Sequence, residues 1–166
     1  MIGLFDSGIG GLTVVKEVMK KLPDYSFIYF GDTARTPYGN KSAEVVCEYG
    51  LQAAKFLVEH GATVIVVACN TVSSVGLEAI KQSYPKIPVF DVISPAIAKV
   101  QQLPKLKAIG VIGTRALVNS GVYQKSLTDA GHRVVAYPAP LLVPLVEEGW
   151  LNKPETKRII KTYLTP

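Results

Sequence analysis

Short apolar runs alternate along the chain with segments in which apolar residues recur every three or four positions. The first pattern is typical of buried strands and the second of amphipathic helices, so the alternation predicts parallel sheets with helices on their faces. The predicted strands are residues 2–5, 26–30, 64–68, 89–92, 106–112 and 134–137. The predicted helices are residues 12–22, 43–60, a segment ending near 84, one beginning near 94, 116–130 and 155–164.

Several helix ends carry residues that cap or terminate a helix. Ser42 is a good N-cap, Gly61 suits a C-terminal end, and Ser94-Pro95 supplies a cap and a first helical position. Prolines at positions 138, 140 and 144 are expected to break the chain before the last helix.

The strand–helix pattern restarts beyond Pro104, and we place a domain boundary at residues 92–94. This predicts two parallel-sheet α/β domains, residues 1–93 and 94–166. The two segments have the character of a distant internal repeat, since Asp6 and Gly113 stand at corresponding strand ends. Such a repeat predicts a pseudo-twofold relation between the domains.

Composition narrows the class of protein. With 48% hydrophobic and 19% charged residues, the chain can bury a core and is not expected to be disordered. Its longest apolar run, near residues 62–69, is far shorter than the roughly 20 residues of a membrane helix, so no membrane partner is predicted. The N-terminus shows no signal-peptide pattern, and two cysteines form no disulfide framework. We therefore expect a reduced, cytoplasmic setting.

The net charge of +5 raises the question of a nucleic-acid partner. The basic residues are scattered, however, and their densest group falls on the predicted last helix, with Glu155 among them. A solvated helix face explains this group better than a surface that follows phosphates, so no nucleic-acid partner is predicted. The positive charge instead favours a small anionic substrate.

Polar side chains occupy the ends of the predicted strands. In parallel α/β sheets, active groups lie beyond the carboxyl ends of the strands, and these ends share one edge of the sheet. A carboxylate, hydroxyls, an amide and a thiol are therefore expected to converge. The strand ends concerned are Asp6-Ser7-Gly8, Gly31-Asp32, Cys69-Asn70-Thr71 and Gly113-Thr114.

The two cysteines differ in position. Cys47 shares a helical face with Val46, Gly50 and Leu57, which predicts a buried, packed thiol. Cys69 stands between a strand and a helix, where the helix N-terminus would lower its pKa and make it the more reactive thiol. A small buried side chain is the plain alternative for Cys69.

Two glycine-containing segments are ambiguous by themselves. DSGIGGLT could bind an anion at a helix N-terminus, but Thr13 replaces the third glycine of a dinucleotide motif and no P-loop lysine follows. Turn glycines alone would leave Asp6 and Ser7 unexplained. RTPYGNKS could be an ordinary turn, and Asp32 could be a simple cap. His60 and His132 have no partner at ligand spacing, so no metal site is predicted.

Three motifs together are more specific. IGLFDSGIGGLTVV, GDTARTPYGNKS and VVACNT, in this order and spacing, resemble the glutamate racemases of the aspartate/glutamate racemase superfamily. AIGVIGT and LLVPLVEEG match more weakly. The resemblance implies a cofactor-independent isomerase that interconverts L- and D-glutamate for bacterial peptidoglycan synthesis and cell shape. The resemblance implies glutamate as the small-molecule partner, and it leaves open whether the chain forms a homodimer.

The same resemblance assigns roles to residues. Cys69 is implied as one of two catalytic thiols, with Asp6 assisting it. Asp32 and Glu147 match carboxylates linked to the site. The implied substrate-binding positions are Asp6, Ser7, Tyr38, Gly39, Asn70, Thr71 and Thr114.

One family feature is missing. The second catalytic cysteine of the family lies in a G-C-T-H motif, which this sequence lacks. Cys47 cannot take its place, because it lies on the apolar side of a predicted helix. Carrying the Asp6–Cys69 interval over to Gly113 places the second thiol about ten residues beyond Pro166. We therefore expect a truncated racemase with an incomplete second domain, inactive by itself. The alternatives are a one-thiol decarboxylase of the same superfamily and a non-catalytic fragment that binds an amino acid.

Overall fold

The computed structural model describes residues 1–104 and 108–165. Its strands are β1 (Ile2–Asp6), β2 (Phe27–Gly31), β3 (Val64–Val67), β4 (Val89–Asp91), β5 (Ile109–Gly113) and β6 (Val134–Pro138). Its α-helices are α1 (Leu12–Lys21), α2 (Ala43–Glu59), α3 (Asn70–Val75), α4 (Leu77–Ser83), α5 (Ile93–Gln101), α6 (Arg115–Ser120), α7 (Val122–Asp129), α8 (Leu142–Glu147) and α9 (Pro154–Leu164). A short 3₁₀ helix covers Tyr38–Asn40.

Two separate parallel sheets confirm the predicted α/β fold. The first has the strand order β2-β1-β3-β4, and the second consists of β5 and β6. In the first sheet Asp6 pairs with Gly31 and Phe5 pairs with Val67, so β1, β2 and β3 end at the same edge. This register places the segments that follow Asp6, Gly31 and Val67 side by side.

The main core lies between the first sheet and helix α2. Phe5, Leu57 and Ile65 are fully buried there, and each contributes roughly 1.5–3 kcal/mol through burial of its side chain. Helix α2 approaches β1 closely at Gly3, where an added Cβ would lie 3.1 Å from the Leu57 Cβ. Glycine at this position therefore allows the helix to pack directly on the strand.

Two helices that the sequence predicts as continuous are each divided at a glycine. The segment ending near 84 consists of α3 and α4, which meet at Gly76, and the 116–130 segment consists of α6 and α7, which meet at Gly121. Gly121 has a φ of +69°, a left-handed conformation that other residues rarely adopt. The apolar spacing continues across both breaks, which is why periodicity did not reveal them.

Helix caps follow the prediction at one site and depart from it at another. The Ser42 Oγ accepts a hydrogen bond from the Val45 N–H at 3.4 Å, as expected for an N-cap. Ser94 does not cap α5. The carboxylate of Asp91 accepts from the N–H groups of Ile93 and Ser94, both at 2.7 Å, because the helix begins one residue before Ser94.

The expected break at the prolines is wrong in part. Pro144 lies in the first turn of α8, where the missing N–H of proline costs no helical hydrogen bond. The predicted strand 106–112 is observed as β5 from Ile109, and its residues 106 and 107 lie outside the described residues.

The second sheet is more exposed than the first. Ile112, Val135 and Tyr137 are each at least 42% exposed, whereas the first four-stranded sheet encloses fully buried side chains. Helix α5 connects the two sheets and contacts both α3 and α7. Within residues 1–104 and 108–165, no helix is both long enough and apolar enough to cross a bilayer.

Candidate active site

The predicted site residues line one cleft at the carboxyl end of the first sheet. The cleft has a volume of about 330 Å³ and lies between the loops that follow β1 and β2, the start of α3, and helix α8. Asp32 does not line it. The predicted residues that do are Asp6, Ser7, Tyr38, Gly39, Cys69, Asn70, Thr71, Thr114 and Glu147.

Asp6 organises the glycine loop that follows β1. Its side chain is buried, and Oδ2 accepts a hydrogen bond from the Gly11 N–H at 2.9 Å. A Cβ on Gly11 would lie 2.6 Å from the Asp6 Cβ and 3.0 Å from the Tyr29 Oη, so only glycine fits. The Tyr29 hydroxyl also donates to the Gly8 carbonyl at 2.9 Å. These contacts explain Gly11 of DSGIGG as a close-approach position.

Cys69 sits where β3 gives way to α3. Its side chain is 3% exposed, and its Sγ accepts from the Val72 N–H at 3.5 Å, as the cap of the helix. The thiol donates to the Ser7 Oγ at 3.4 Å. The sulfur is thus held between a helix N-terminus and a hydroxyl of the β1 loop, facing the cleft.

The ionisation of Cys69 differs from the prediction. Burial, followed by the negative charge of Asp6, raises the pKa of the thiol to about 11, although the hydrogen bonds that Cys69 makes with Ser7 and Val72 act to lower it. The expected lowering by the helix N-terminus is wrong, because desolvation and a neighbouring carboxylate outweigh two weak sulfur contacts. The thiol is therefore protonated at neutral pH in the unliganded chain.

The predicted burial of Cys47 also needs correction. Cys47 is half-buried rather than buried, while Cys69 is buried. The α2 side chains that pack inward belong to Val46, Ala53 and Leu57, and Cys47 lies at the margin of that face. It does not line the cleft.

Tyr38 and Gly39 form one wall of the cleft. The Tyr38 hydroxyl donates to Asp32, and the Arg35 Nε contacts the same Asp32 Oδ2 at 2.6 Å. Burial and the Asp32 carboxylate raise the pKa of Tyr38, so its phenol stays protonated. Asp32 thus affects the cleft through its hydrogen bond with Tyr38 and does not line the cleft itself.

The second half of the chain closes the cleft at three contacts. The hydroxyls of Thr71 and Thr114 are hydrogen-bonded at 3.0 Å, and Gly39 lies so close to Thr114 that no Cβ would fit. The Glu147 Oε1 accepts from the Ile9 N–H at 3.3 Å. The site therefore depends on how the two halves meet.

Sequence reasoning predicted Glu147 of α8 but missed the apolar contribution of this helix to the lining. Leu142, Val143 and Val146 form an apolar side of the cleft, and their spacing is helical. Pro144 obscured that spacing, since a proline was taken as a break. Thr13, in the first turn of α1, was also missed as a lining residue.

The charged residues that line the cleft are acidic, whereas the whole chain has a net charge of +5. Among the described residues that line it, Asp6 and Glu147 are acidic and none is Lys or Arg. The expectation that the net positive charge would attract an anion to the site is therefore not met locally. A carboxylate bound here would rely on neutral hydroxyl, amide and backbone donors.

A larger cleft of about 500 Å³ lies nearby, against the β5–β6 sheet. It shares Asn70, Thr114, Leu142 and Val143 with the first cleft, and the rest of its lining is almost wholly apolar. It contains neither Cys69 nor Asp6, so the smaller cleft is the candidate for chemistry.

Comparison with known proteins finds similar sequences along nearly the whole chain. A family model described as Asp/Glu/Hydantoin racemase matches residues 13–163. The glutamate racemase of Aquifex aeolicus is 45% identical over 163 residues, which cover 98% of this chain and 64% of that protein. The glutamate racemase of Geobacter metallireducens is 46% identical over 166 residues, covering 99% of this chain and 61% of that protein.

Solved structures give the same result. The glutamate racemase of Francisella tularensis in complex with D-glutamate superimposes with a TM-score of 0.92 at 39% identity, covering 99% of this chain and 62% of that one. The chain thus spans somewhat less than two thirds of the length of each of these relatives.

Proposed function

The chain belongs to the aspartate/glutamate racemase family, and we propose that its cleft binds glutamate and that Cys69 exchanges the α-proton of this amino acid. The observation that carries the proposal is the position of the Cys69 Sγ, held by Ser7 and Val72 in a cleft that also presents carboxylates, hydroxyls and an amide.

The lining suits a zwitterion with an additional carboxylate. Asp6 and Glu147 can attract the ammonium group of the substrate. The hydroxyls of Ser7 and Thr71 and the amide of Asn70 can donate to its carboxylates, and hydrogen bonds to charged groups are stronger than neutral ones. Because no Lys or Arg among the described residues competes there, the ammonium is the dominant cation of the complex.

Binding of an ammonium group would also help to ionise the thiol. The Asp6 charge contributes to the raised pKa of Cys69, and a cation placed beside Asp6 would offset that contribution. The Cys69 thiolate then removes the α-proton, and the electron pair left on carbon is delocalised into the adjacent carboxylate. In this proposal, binding of the substrate ammonium group favours the Cys69 thiolate, which then acts as the base.

Inversion needs a second proton donor on the opposite face of the α-carbon. The 166 residues contain two cysteines, and Cys47 lies outside the cleft. We infer a two-thiol mechanism in which the second thiol comes from outside these residues, with domains at residues 1–93 and 94–166 contributing opposite sides. The product, D-glutamate, would serve peptidoglycan synthesis in the cytoplasm.

The single thiol of the cleft also favours a second candidate, a decarboxylase that protonates a carbanion from one face only. Such an enzyme would release carbon dioxide from a substrate with two carboxylates on one carbon. It would not exchange the α-proton of glutamate.

Proton exchange tests the proposal directly. L-glutamate and D-glutamate are incubated with the chain in deuterium oxide, the α-proton signal is followed by NMR, and Cys69→Ala is the control. We expect Cys69-dependent deuterium incorporation into one enantiomer with its configuration retained. Binding without exchange would leave only an amino-acid-binding chain, and the absence of calorimetrically detectable binding would contradict the proposal.

A further inference from the structure

We propose that Arg35 is a positioning residue of this site: it holds the buried carboxylate of Asp32 against the Tyr38 hydroxyl and thereby fixes the wall formed by Tyr38 and Gly39. Its effect on glutamate rests on the proposed function, whereas its effect on Tyr38 does not.

The need for Arg35 begins with the burial of Asp32. This side chain is 5% exposed, and a buried carboxylate is unfavourable unless it is paired and hydrogen-bonded. Arg35 is the one cation that forms an ion pair with it within the described parts of the chain, through Nε at 2.6 Å. The second partner of the carboxylate is the Tyr38 hydroxyl, on the same Oδ2 atom. Arg35 and Tyr38 are therefore coupled through one oxygen.

Arg35 is itself held by two side chains of α2. Its Nη1 donates to the Gln52 Oε1 at 2.5 Å, and its guanidinium carbon lies 4.1 Å from the centre of the Tyr49 ring. Gln52 is held in turn, since its amide donates to Glu48 at 3.0 Å. One planar group thus makes an ion pair, a hydrogen bond and a cation–π contact in different directions, which the single ammonium of lysine cannot reproduce.

The consequence for the cleft passes through Tyr38. Its ring is 2% exposed and lies 5.3 Å from that of Tyr49, so packing sets the ring position while Asp32 sets the hydroxyl. Gly39 follows directly and touches Thr114 without room for a Cβ. A small displacement of Tyr38 would therefore change both the cleft wall and its contact with the second half. Arg35 itself does not line the cleft.

The first measurement reads Tyr38 in the absence of ligand. Tyrosine labelled with ¹³C at Cζ reports on its hydroxyl, and the Tyr38 signal is assigned by its loss in Tyr38→Phe. We expect Arg35→Gln to shift this signal, and Lys55→Gln, which removes an exposed charge from α2, to leave it unchanged. An unshifted Tyr38 signal in folded Arg35→Gln would overturn the proposal.

The second measurement is a double-mutant cycle on glutamate affinity. Arg35→Gln is expected to weaken binding at least tenfold in the native background and less than twofold in Tyr38→Phe, because the effect passes through Tyr38. Equal losses in both backgrounds would reduce Arg35 to a general stabilising role. If Arg35→Gln does not fold, as judged by circular dichroism, Arg35→Lys retains the charge and is expected to shift the same Tyr38 signal; an unshifted signal again refutes the role. If the native chain binds no glutamate, the proposed function fails while the Tyr38 measurement still decides the role of Arg35.

Discussion

Cys69 shows how sequence position and burial can act in opposite directions on one side chain. Its place before α3 gives the sulfur an N–H donor from Val72, which favours the thiolate. Its burial next to Asp6 favours the thiol more strongly, and the pKa rises to about 11. An unliganded site of this kind keeps the sulfur protonated, and so protects it from oxidation and alkylation until a substrate alters the local charge.

The two thiols are therefore expected to react in the order opposite to that inferred from sequence. At pH 7.5 iodoacetamide should label half-buried Cys47 before Cys69 in the folded chain, as mapped by mass spectrometry. Because the thiolate is the reactive form, Cys69 labelling should accelerate by about tenfold per pH unit below its pKa. The denatured chain, in which both sites are accessible, is the control. Faster labelling of Cys69 at pH 7.5 would contradict the burial and the raised pKa.

Two polar residues at the start of α3 are expected to contribute to glutamate binding. Asn70→Ala and Thr71→Ala should each weaken binding by roughly 1.5–3 kcal/mol, since each removes a hydrogen bond to a charged group. Asn119→Ala, which removes an exposed amide from α6 outside the cleft, is the matched control. Calorimetric titration gives the affinities, and unchanged binding in both variants would exclude these side chains from the site.

At the scale of elements, glycines determine where helices end and how closely loops approach. Gly76 and Gly121 divide segments whose apolar spacing is otherwise continuous. The side chains of Cys69 and Thr114 are the N-caps of the resulting short helices α3 and α6. An N-capping hydrogen bond therefore orients both side chains. Both capping residues therefore lie at the cleft where the two halves of the chain meet.

Gly121 and Gly110 provide a matched pair for testing this account. Gly121→Ala should lower the free energy of unfolding by about 1 kcal/mol or more, because alanine is strained at a φ of +69°. Gly110→Ala, at a strand position with no neighbouring atom within 4 Å, should have little effect. Urea unfolding monitored by circular dichroism measures both. Equal effects in the two variants would show that the left-handed conformation is not the cause.

At the scale of the whole molecule, the cleft is a property of the contact between two halves. The halves meet at this cleft through three pairs of residues: Thr71 and Thr114, Gly39 and Thr114, and Ile9 and Glu147. The first half supplies Cys69 and Asp6, and α8 contributes Leu142, Val143 and Val146 to the apolar lining. Proton transfer from one face is consistent with this arrangement, and the described lining of the cleft contains no thiol besides Cys69.

The 166-residue chain is accordingly expected not to racemise glutamate. Inversion requires a donor opposite Cys69, and the only other cysteine lies outside the cleft. Circular dichroism of L-glutamate and D-glutamate, each incubated with the chain, measures the outcome. Loss of optical activity that disappears in Cys69→Ala would refute this expectation and would require a second base from another residue or a neighbouring chain.

Local pattern in the sequence was enough to predict the α/β class and the strand ends that carry the site. Apolar runs and helical spacing are local properties, and parallel strands of one sheet align their carboxyl ends, so Asp6 and Cys69 could be placed together in advance. Thr114 follows a strand of the second sheet and joins them through its contact with Thr71. The resemblance to the family added Tyr38, Gly39 and Glu147, which local pattern alone left ambiguous.

Only the tertiary structure decided the properties that depend on neighbours distant in sequence. The pKa of Cys69 follows from its burial beside Asp6, 63 positions away, and the acidic lining of the cleft follows from which few charges face it. The helix that contains Pro144 and the network joining Arg35 to α2 depend on packing between elements. Periodicity and spacing report which side of an element a residue occupies. Ionisation and coupling between side chains depend on which groups surround the residue, and the fold determines those groups.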